Sequence, residues 1–310
     1  MNILILGSTG FVGSNVATKL VAEGIQVYPT SKSNGVDLRD INQAKELLFS
    51  SKPDIVINCA AHVGSLNYVT EKAADVMLDN SRMILNIYEA LSVVNPKAII
   101  INPIANCAYP AKADTFMEDH WWDGHLHRSV LSYGSTRRLL WSVGESFSMQ
   151  HGMRSIYLLV PNMYGPFDST DPNKAHALNA LISKFVKAEK SNQPEIEIWG
   201  TGVAIREWLY AEDFAAIVTS IIKNPNTIGL SEPVNIAQNF GLSVKELVHI
   251  INSYFANKFE IKWNRTMPDG APKKVMDDVR FKKVFNQFQF TPFDEGVKNT
   301  IAYYQSIYPY

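Results

Sequence analysis

The chain opens on a short apolar run, Ile3-Leu4-Ile5-Leu6, that passes directly into Gly7-Ser8-Thr9-Gly10-Phe11-Val12-Gly13 and then into the amphipathic segment Val16 to Glu23. A strand, a glycine turn and a helix in that order leave few ways to fold. Gly7 permits the tight turn, Gly10 lets the backbone come close to a pyrophosphate, and Gly13 lets the new helix settle onto its strand. The free N–H groups at the helix start point toward the phosphates. The pattern predicts a dinucleotide site on an open parallel sheet, with Gly7, Thr9, Gly10, Phe11, Val12 and Gly13 against the ligand.

The alternation continues as a parallel sheet requires. Ile25 to Tyr28 reads as a second strand, Asn42 to Ser50 as a helix, and Asp54 to Asn58 as a buried strand. That strand ends in Cys59-Ala60-Ala61, where the small side chains of Ala60 and Ala61 let a cofactor lie close. Asp75 to Val93 is a long amphipathic helix and Ala98 to Ile101 a strand. Tyr133 to Gln150 is a helix stopped at His151-Gly152, and Arg154 to Val160 is the next strand. After Pro161 the pattern changes: Gly165 to Asn173 is a loop, Ala175 to Lys190 a helix, and Glu195 to Trp199 a strand. Ser243-Val244-Lys245-Glu246 is a capping box that opens another helix. The expected fold is α/β. Residues 1–165, with 213–236 returning to them, form a Rossmann doubly wound parallel sheet. Residues 166–212 and 237–310 form a smaller C-terminal α/β substrate-binding lobe.

A formal net charge of −1 over 310 residues argues against a nucleic-acid surface. Cys59 and Cys107 are the only cysteines, so there is no disulfide framework, and a reducing cytoplasm is expected. No apolar stretch is long enough to cross a bilayer, and Ile3 to Leu6 reads as a strand rather than a leader. The segment Glu118 to His127 is dense in possible metal ligands, yet its spacing matches no familiar zinc site, so no metal is expected. It reads instead as a substrate-covering loop, with Trp121 and Trp122 as apolar cover.

Folds of this kind that prefer NAD place an acid at the end of the second strand, to bind the ribose 2′-OH. Here Pro29-Thr30-Ser31-Lys32 offers none. Ser31 and Lys32 suit a 2′-phosphate, which favours NADP (NADPH). Further on, Tyr133 and Arg137 lie one helical turn apart and share a face. A phenol titrates near pH ~10 and exchanges protons at neutral pH only beside a cation.

Together these stretches resemble the extended short-chain dehydrogenase/reductase (NAD-dependent epimerase/dehydratase) family, and within it the GDP-fucose synthase branch. Asn58-Cys59-Ala60-Ala61-His62-Val63-Gly64, Cys107-Ala108-Tyr109-Pro110 and Pro161-Asn162-Met163-Tyr164-Gly165-Pro166 carry the likeness, as do Trp199-Gly200-Thr201-Gly202, Arg206-Glu207-Trp208-Leu209 and Pro268-Asp269-Gly270-Ala271-Pro272. The resemblance implies an NADP-dependent epimerase/reductase of a GDP-linked 4-keto-6-deoxy sugar, assembled as a homodimer. It places the epimerising pair on Cys107 and His176, and the reductase tyrosine on Tyr133. It assigns Asn162, Trp199, Arg206 and Lys184 to substrate, and Asp37 and Leu38 to the cofactor.

Two positions depart from the family. Arg137 stands where a lysine is usual, and a guanidinium does not release a proton. Ala105 stands where a serine hydroxyl would polarise the substrate carbonyl, and Asn106 beside it is the candidate replacement donor. Two alternatives stay open: a nucleotide-sugar epimerase or dehydratase without net reduction, and a nucleotide-sugar-binding homologue with altered chemistry.

Overall fold

Ile3–Leu6 and Ile55–Asn58 are each four residues of Ile, Leu, Val or Asn with every side chain buried, as a strand covered on both faces must be. In the computed structural model, which describes residues 1–113, 115–226, 232–267 and 269–310, β1 (Ile3–Leu6) leads into α1 (Phe11–Ala22). There follow β2 (Val27–Thr30), α2 (Ile41–Ser51), β3 (Ile55–Asn58), α3 (Leu66–Glu71), α4 (Ala73–Val94), β4 (Ile99–Ala105), α5 (Leu131–His151) and β5 (Arg154–Val160). Next come β6 (Asn162–Tyr164), α6 (Ala177–Lys190), β7 (Glu195–Trp199), β8 (Ile205–Tyr210), α7 (Ala211–Lys223) and β9 (Val234–Asn235). The chain finishes with β10 (Gly241–Ser243), α8 (Val244–Ser253), β11 (Glu260–Asn264), β12 (Lys273–Lys274), α9 (Val279–Val284) and α10 (Phe293–Ser306). Residue Pro268 of the Pro268 to Pro272 motif, and 227–231 of the segment read as returning, lie outside the described residues.

Six strands pair in the order β2-β1-β3-β4-β5-β9, all parallel, with Ile3 opposite Val27 and Leu6 opposite Asn58. The strand order reverses between β1 and β3, so the crevice for a ligand opens beyond their carboxyl ends. Side chains alternate between two cores. Ile3, Ile5, Ile55 and Ile57 face α1 and α7, while Leu4, Leu6, Val56 and Ile100 face α2, α4 and α5. Residues after β5 build a second sheet, β10-β8-β12 with β6 on β8, a β7–β11 pair, and a third core around Phe185, Ile182 and Tyr304.

The capping box at Ser243 is present in full. The second strand starts two residues later than its apolar run suggests. Ile25 N–H still bonds the Leu20 carbonyl at 2.9 Å, closing the end of α1, so pairing begins only at Val27. The short helix α3 has no counterpart in the periodicity, although Ser65 caps it through the Tyr68 N–H.

Under the sheet, α5 crosses β5 where a side chain has no room. A Cβ on Gly144 would lie 2.0 Å from the Tyr157 hydroxyl and 2.7 Å from that of Tyr88. Those hydroxyls belong to a buried polar chain in which Asn58 donates to Asn102 (3.0 Å), Asn102 to Tyr88 (3.0 Å), and Tyr88 meets Ser155 (2.9 Å). Gly144→Ala should therefore destabilise the fold by roughly 1–3 kcal/mol, the usual range for overpacking. Urea unfolding followed by circular dichroism reads this as a lowered midpoint, and an unchanged midpoint would contradict it.

Candidate active site

The glycine turn is built as the sequence demands. Gly7 has φ +72°, and a Cβ on Gly13 would come within 2.2 Å of the Gly7 carbonyl, so α1 starts against the turn only because both lack side chains. The N-cap Gly10 has no side-chain partner, which leaves the first N–H groups of α1 free. The buried Ser8 hydroxyl and Asn15 side-chain amide oxygen also have no hydrogen-bond partner among the described residues. Gly10, Phe11 and Val12 then form one end of a cleft of about 440 Å³.

At the far side of this turn, the predicted 2′-phosphate position is a cluster of hydroxyls. Ser31 meets Ser33 at 2.8 Å and Ser33 meets Thr9 at 2.9 Å. The Lys32 ammonium is exposed and 3.9 Å from Asp37. Hydrogen bonds from Arg39 hold the Asp37 carboxyl at about 2, below the usual carboxylate range. Leu38 is buried beside it. Arg39 also reaches Asp79 on α4 at 3.0 Å. Hydroxyls plus one exposed cation, with the nearest carboxylate already paired with Arg39, suit a phosphate rather than a ribose diol.

The cleft continues over Ala60 and Ala61 to the ends of β4 and β5 and the start of α5. Cys107 lies in a single 3₁₀ turn (Asn106–Ala108) that follows β4. A Cβ on Gly134 would come within 2.7 Å of the Cys107 carbonyl, so Gly134 lets this turn sit directly on the helix that carries Tyr133. The Arg137 guanidinium lies 4.9 Å from the centre of the Tyr133 ring. It is 3% exposed and donates to the Asn80 side-chain amide oxygen at 3.1 Å, while its Nε has no partner among the described residues. Burial raises the Tyr133 phenol above its ordinary value, Arg137 pulls it back, and Cys107 adds to the rise.

Asn106 is 7% exposed, lines the cleft, and its amide nitrogen has no acceptor among the described residues. Ala105 beside it supplies no hydroxyl. Across the cleft, His176 stands just before α6 with its ring 5.0 Å from that of Phe11. Its Nδ1 meets Asp168 at 3.0 Å. Asn162 lines the cleft and donates to the Glu207 carbonyl at 3.2 Å, and Arg206 reaches the Ile205 and Asp269 carbonyls at 2.8 and 3.3 Å. Thus Tyr133, Arg137, Cys107, Asn106, His176, Asn162 and Arg206 share one cleft. Lys184 and Trp199 do not line it: Lys184 donates to the Glu197 carbonyl and Trp199 is exposed.

Two residues that the sequence reading passed over belong here. Lys274 on β12 lines the cleft, mostly buried, with its pKa lowered by desolvation. Glu207 fixes β12 in place, accepting from Met276 N–H and Gln238 N–H, each at 2.7 Å. Burial pushes the Glu207 carboxyl up to about 7. A basic pair directly after Gly270-Ala271-Pro272 was the available signal for Lys274.

The tryptophans correct one expectation. Trp121 and Trp122 do not cover the cleft but turn to α5, where their rings lie 5.8 and 5.5 Å from Trp141. Arg138 holds them by donating to the Trp121, Gly124 and Ala108 carbonyls. His127 faces the cleft from this segment instead, and Phe116 from just before it. No cluster of three or more metal-ligating side chains exists among the described residues.

A glycine-turn nucleotide site that runs into a tyrosine–cation pair defines the class: a dinucleotide-dependent enzyme on a doubly wound α/β sheet. A profile of the NAD dependent epimerase/dehydratase family matches residues 3–237, and the chain belongs to that family. A probable GDP-L-fucose synthase 1 of Oryza sativa subsp. japonica is 26% identical over 303 residues, 97% of this chain and 91% of its own. A GDP-L-colitose synthase of Yersinia pseudotuberculosis is 25% identical over 306 residues, covering 98% of each chain. The crystal structure of a GDP-L-fucose synthetase from Naegleria fowleri superposes with a TM-score of 0.88 at 24% identity, covering 99% of this chain and 94% of that one. A GDP-mannoheptose C4 reductase from Campylobacter jejuni, solved with NADP bound, gives 0.85 at 21% identity, covering 98% of each.

The thiols give a direct check on the site's electrostatics. Burial pushes Cys107 up to about 11, with Lys274 and Arg137 pulling it down, and pushes Cys59 up to about 12. Only the thiolate alkylates, and a free cysteine titrates near ~8.5. In the ligand-free protein, alkylation of Cys107 by iodoacetamide should reach half its maximal rate well above pH 9, and Lys274→Met should move that point higher. Site-resolved mass spectrometry against pH measures it; a midpoint below pH 8 would contradict the assigned burial.

Proposed function

We propose that this chain is an NADPH-dependent epimerase/reductase of a GDP-linked 4-keto-6-deoxy sugar. The observation that carries the reading is the meeting of Tyr133–Arg137, Cys107 and His176 in one cleft that begins at the glycine turn and ends at Arg206 and Lys274. The names of the relatives, two of them synthases of GDP-linked deoxy sugars, support the substrate class. The hydroxyl cluster at Ser31, Ser33 and Thr9 beside Lys32, together with the unpartnered Ser8 hydroxyl, fits NADP.

A ketone at C4 acidifies the protons on C3 and C5. The Cys107 thiolate removes such a proton, and His176 across the cleft delivers another proton to the opposite face. Lys274 and Arg137 supply a positive field that offsets part of the rise burial gives Cys107, and so eases its ionisation. Asn106 offers its free amide N–H to the C4 oxygen, the place that Ala105 leaves empty. Arg206 and Lys274 meet the diphosphate, Arg206 through its fork and Lys274 as a point charge. Bound NADPH supplies the hydride for C4. Tyr133 donates the proton that the resulting alkoxide needs. Arg137 holds the phenol electrostatically and cannot pass it a proton, so Tyr133 is recharged from the solvent side of the cleft.

That permanent cation, buried and tied to Asn80, also favours a second reading, in which the enzyme epimerises without net reduction. The test separates the halves. Cys107→Ser should slow solvent-deuterium exchange at C3 and C5 by roughly 10²–10⁴-fold and spare hydride transfer to an already epimerised ketone. Tyr133→Phe should do the reverse, and Arg137→Lys should preserve or raise the reduction rate. NADPH absorbance and mass spectrometry of the sugar read the two steps. Exchange without NADPH loss selects the second reading. Turnover unaffected by both Cys107→Ser and Tyr133→Phe rejects the site.

We also propose a homodimer in the cytoplasm. Both cysteines are free, as a reducing compartment requires, and α4 lies along α5 with Leu78, Leu85, Leu131 and Met149 exposed. Two such pairs close into a four-helix bundle about a two-fold axis. Light scattering at micromolar concentration should give twice the 34.7 kDa chain mass, and a monomer mass would exclude the bundle.

A further inference from the structure

His176 does not stand alone at the cleft, and its partner is a carboxylate that neither the motifs nor the proposed mechanism uses. Asp168 has only 3% of its side chain exposed. One oxygen accepts from the His176 backbone N–H at 2.8 Å and from the Asn179 amide at 2.8 Å. The other faces His176 Nδ1 at 3.0 Å. Burial alone would raise this carboxyl, but the hydrogen bonds from the His176 ring, the Asn179 amide and the His176 N–H hold it below its ordinary value. An ionised carboxylate only accepts, so the hydrogen between them sits on Nδ1.

The surrounding loop is built around that contact. Asn179, fully buried, also accepts from Gly165 N–H at 3.0 Å, pinning both ends of the turn that carries Asp168. Asn15, on the helix that follows the glycine turn, donates to the Pro166 carbonyl at 2.9 Å. Phe167, directly before Asp168, holds a left-handed φ of 68° that a bulky residue rarely adopts, with its ring 5.3 Å from Tyr303. The His176 ring leans on Phe11 of the glycine turn. His176 Nε2 has no partner among the described residues, and the residue lines the cleft.

We propose that Asp168 is the positioning residue of this site: it locks neutral His176 in the Nδ1–H tautomer, leaving the Nε2 lone pair to the cleft, where it takes up a solvent proton and hands it to the substrate carbon. The proposal rests on the assignment of His176 to the epimerising pair. Through Phe11, Asn15 and Pro166 the same lock joins the proton-carrying ring to the pyrophosphate turn, so the two are held in one rigid geometry.

Asp168→Asn tests it without disturbing the loop. The new amide keeps one oxygen for the His176 N–H and Asn179, and turns its NH₂ toward Nδ1. Nδ1 then becomes an acceptor, the ring's hydrogen moves to Nε2, and the lone pair is lost from the cleft. Nitrogen-15 NMR of histidine-labelled protein, at a pH where the ring is neutral, should show Nδ1–H in the parent and Nε2–H in Asp168→Asn. Deuterium exchange into the sugar should fall about 10²-fold or more in kcat, with KM within a few fold. Asp168→Glu should restore the Nδ1–H signature and part of the rate. An Nε2–H signature in the parent, or a tautomer unchanged in Asp168→Asn, overturns the proposal whatever the substrate proves to be. A tautomer that shifts while exchange stays constant overturns the role given to His176 instead.

Discussion

A parallel sheet buried on both faces leaves its side chains no free surface except where the strands end, and this constraint arranges everything else. Every residue of β1 and β3 is buried, alternating between two cores. Their carboxyl ends then deliver the glycine turn and Ala60-Ala61 side by side, while β4 delivers the Cys107 turn next to them. The close approaches at Gly13 and Gly134 turn this adjacency into contact. The first seats α1 against the pyrophosphate turn and the second seats Cys107 on the tyrosine helix. The site is therefore seeded at the carboxyl ends of the sheet's strands, and the residues after β5 add His176, Asn162, Arg206 and Lys274 across the cleft.

What was legible in the sequence followed the strength of the local signal. The β1–turn–α1 unit, the long helices α4 and α5, the strand β5 and the Ser243 cap each rest on short-range periodicity or capping chemistry. β2 slipped by two residues because an apolar Ile25 belongs to the end of α1, a distinction set by one backbone bond. α3 was invisible because six residues make less than two turns. The aromatic loop failed differently. Trp121 and Trp122 announce burial, but composition cannot say against what, and Arg138 decides for α5 by binding three of the loop's carbonyls.

The site shows the same division. Tyr133 and Arg137 were paired from helix geometry alone, and the resemblance supplied Cys107 and His176. The residues that tune them were not readable, because each acts across a long stretch of chain. Asn80 meets Arg137 from α4, Lys274 reaches Cys107's neighbourhood from β12, and Glu207 fixes that strand through backbone amides. Asp168 is nearer to its partner, yet a Gly-Pro-rich loop gives no hint that one of its acids points inward.

These tuning contacts set opposite demands on the two proton carriers. Desolvation opposes ionisation of both Cys107 and Tyr133, and a charged Cys107 raises Tyr133 further. A buried Arg137 lowers both, but its charge is fixed, and as an ion with few hydrogen bonds it carries a desolvation penalty of several kcal/mol. That penalty falls when a neighbouring anion forms. Thiolate and phenolate therefore compete for one cation, and the site disfavours having both at once. In the proposed chemistry they are never needed together. The thiolate is consumed in taking its proton, and Tyr133 enters the reduction as the neutral phenol and leaves it as the anion. Arg137 can thus serve first one group and then the other, while Lys274, which pulls Cys107 down against the rise from burial, eases thiolate formation in the epimerising step.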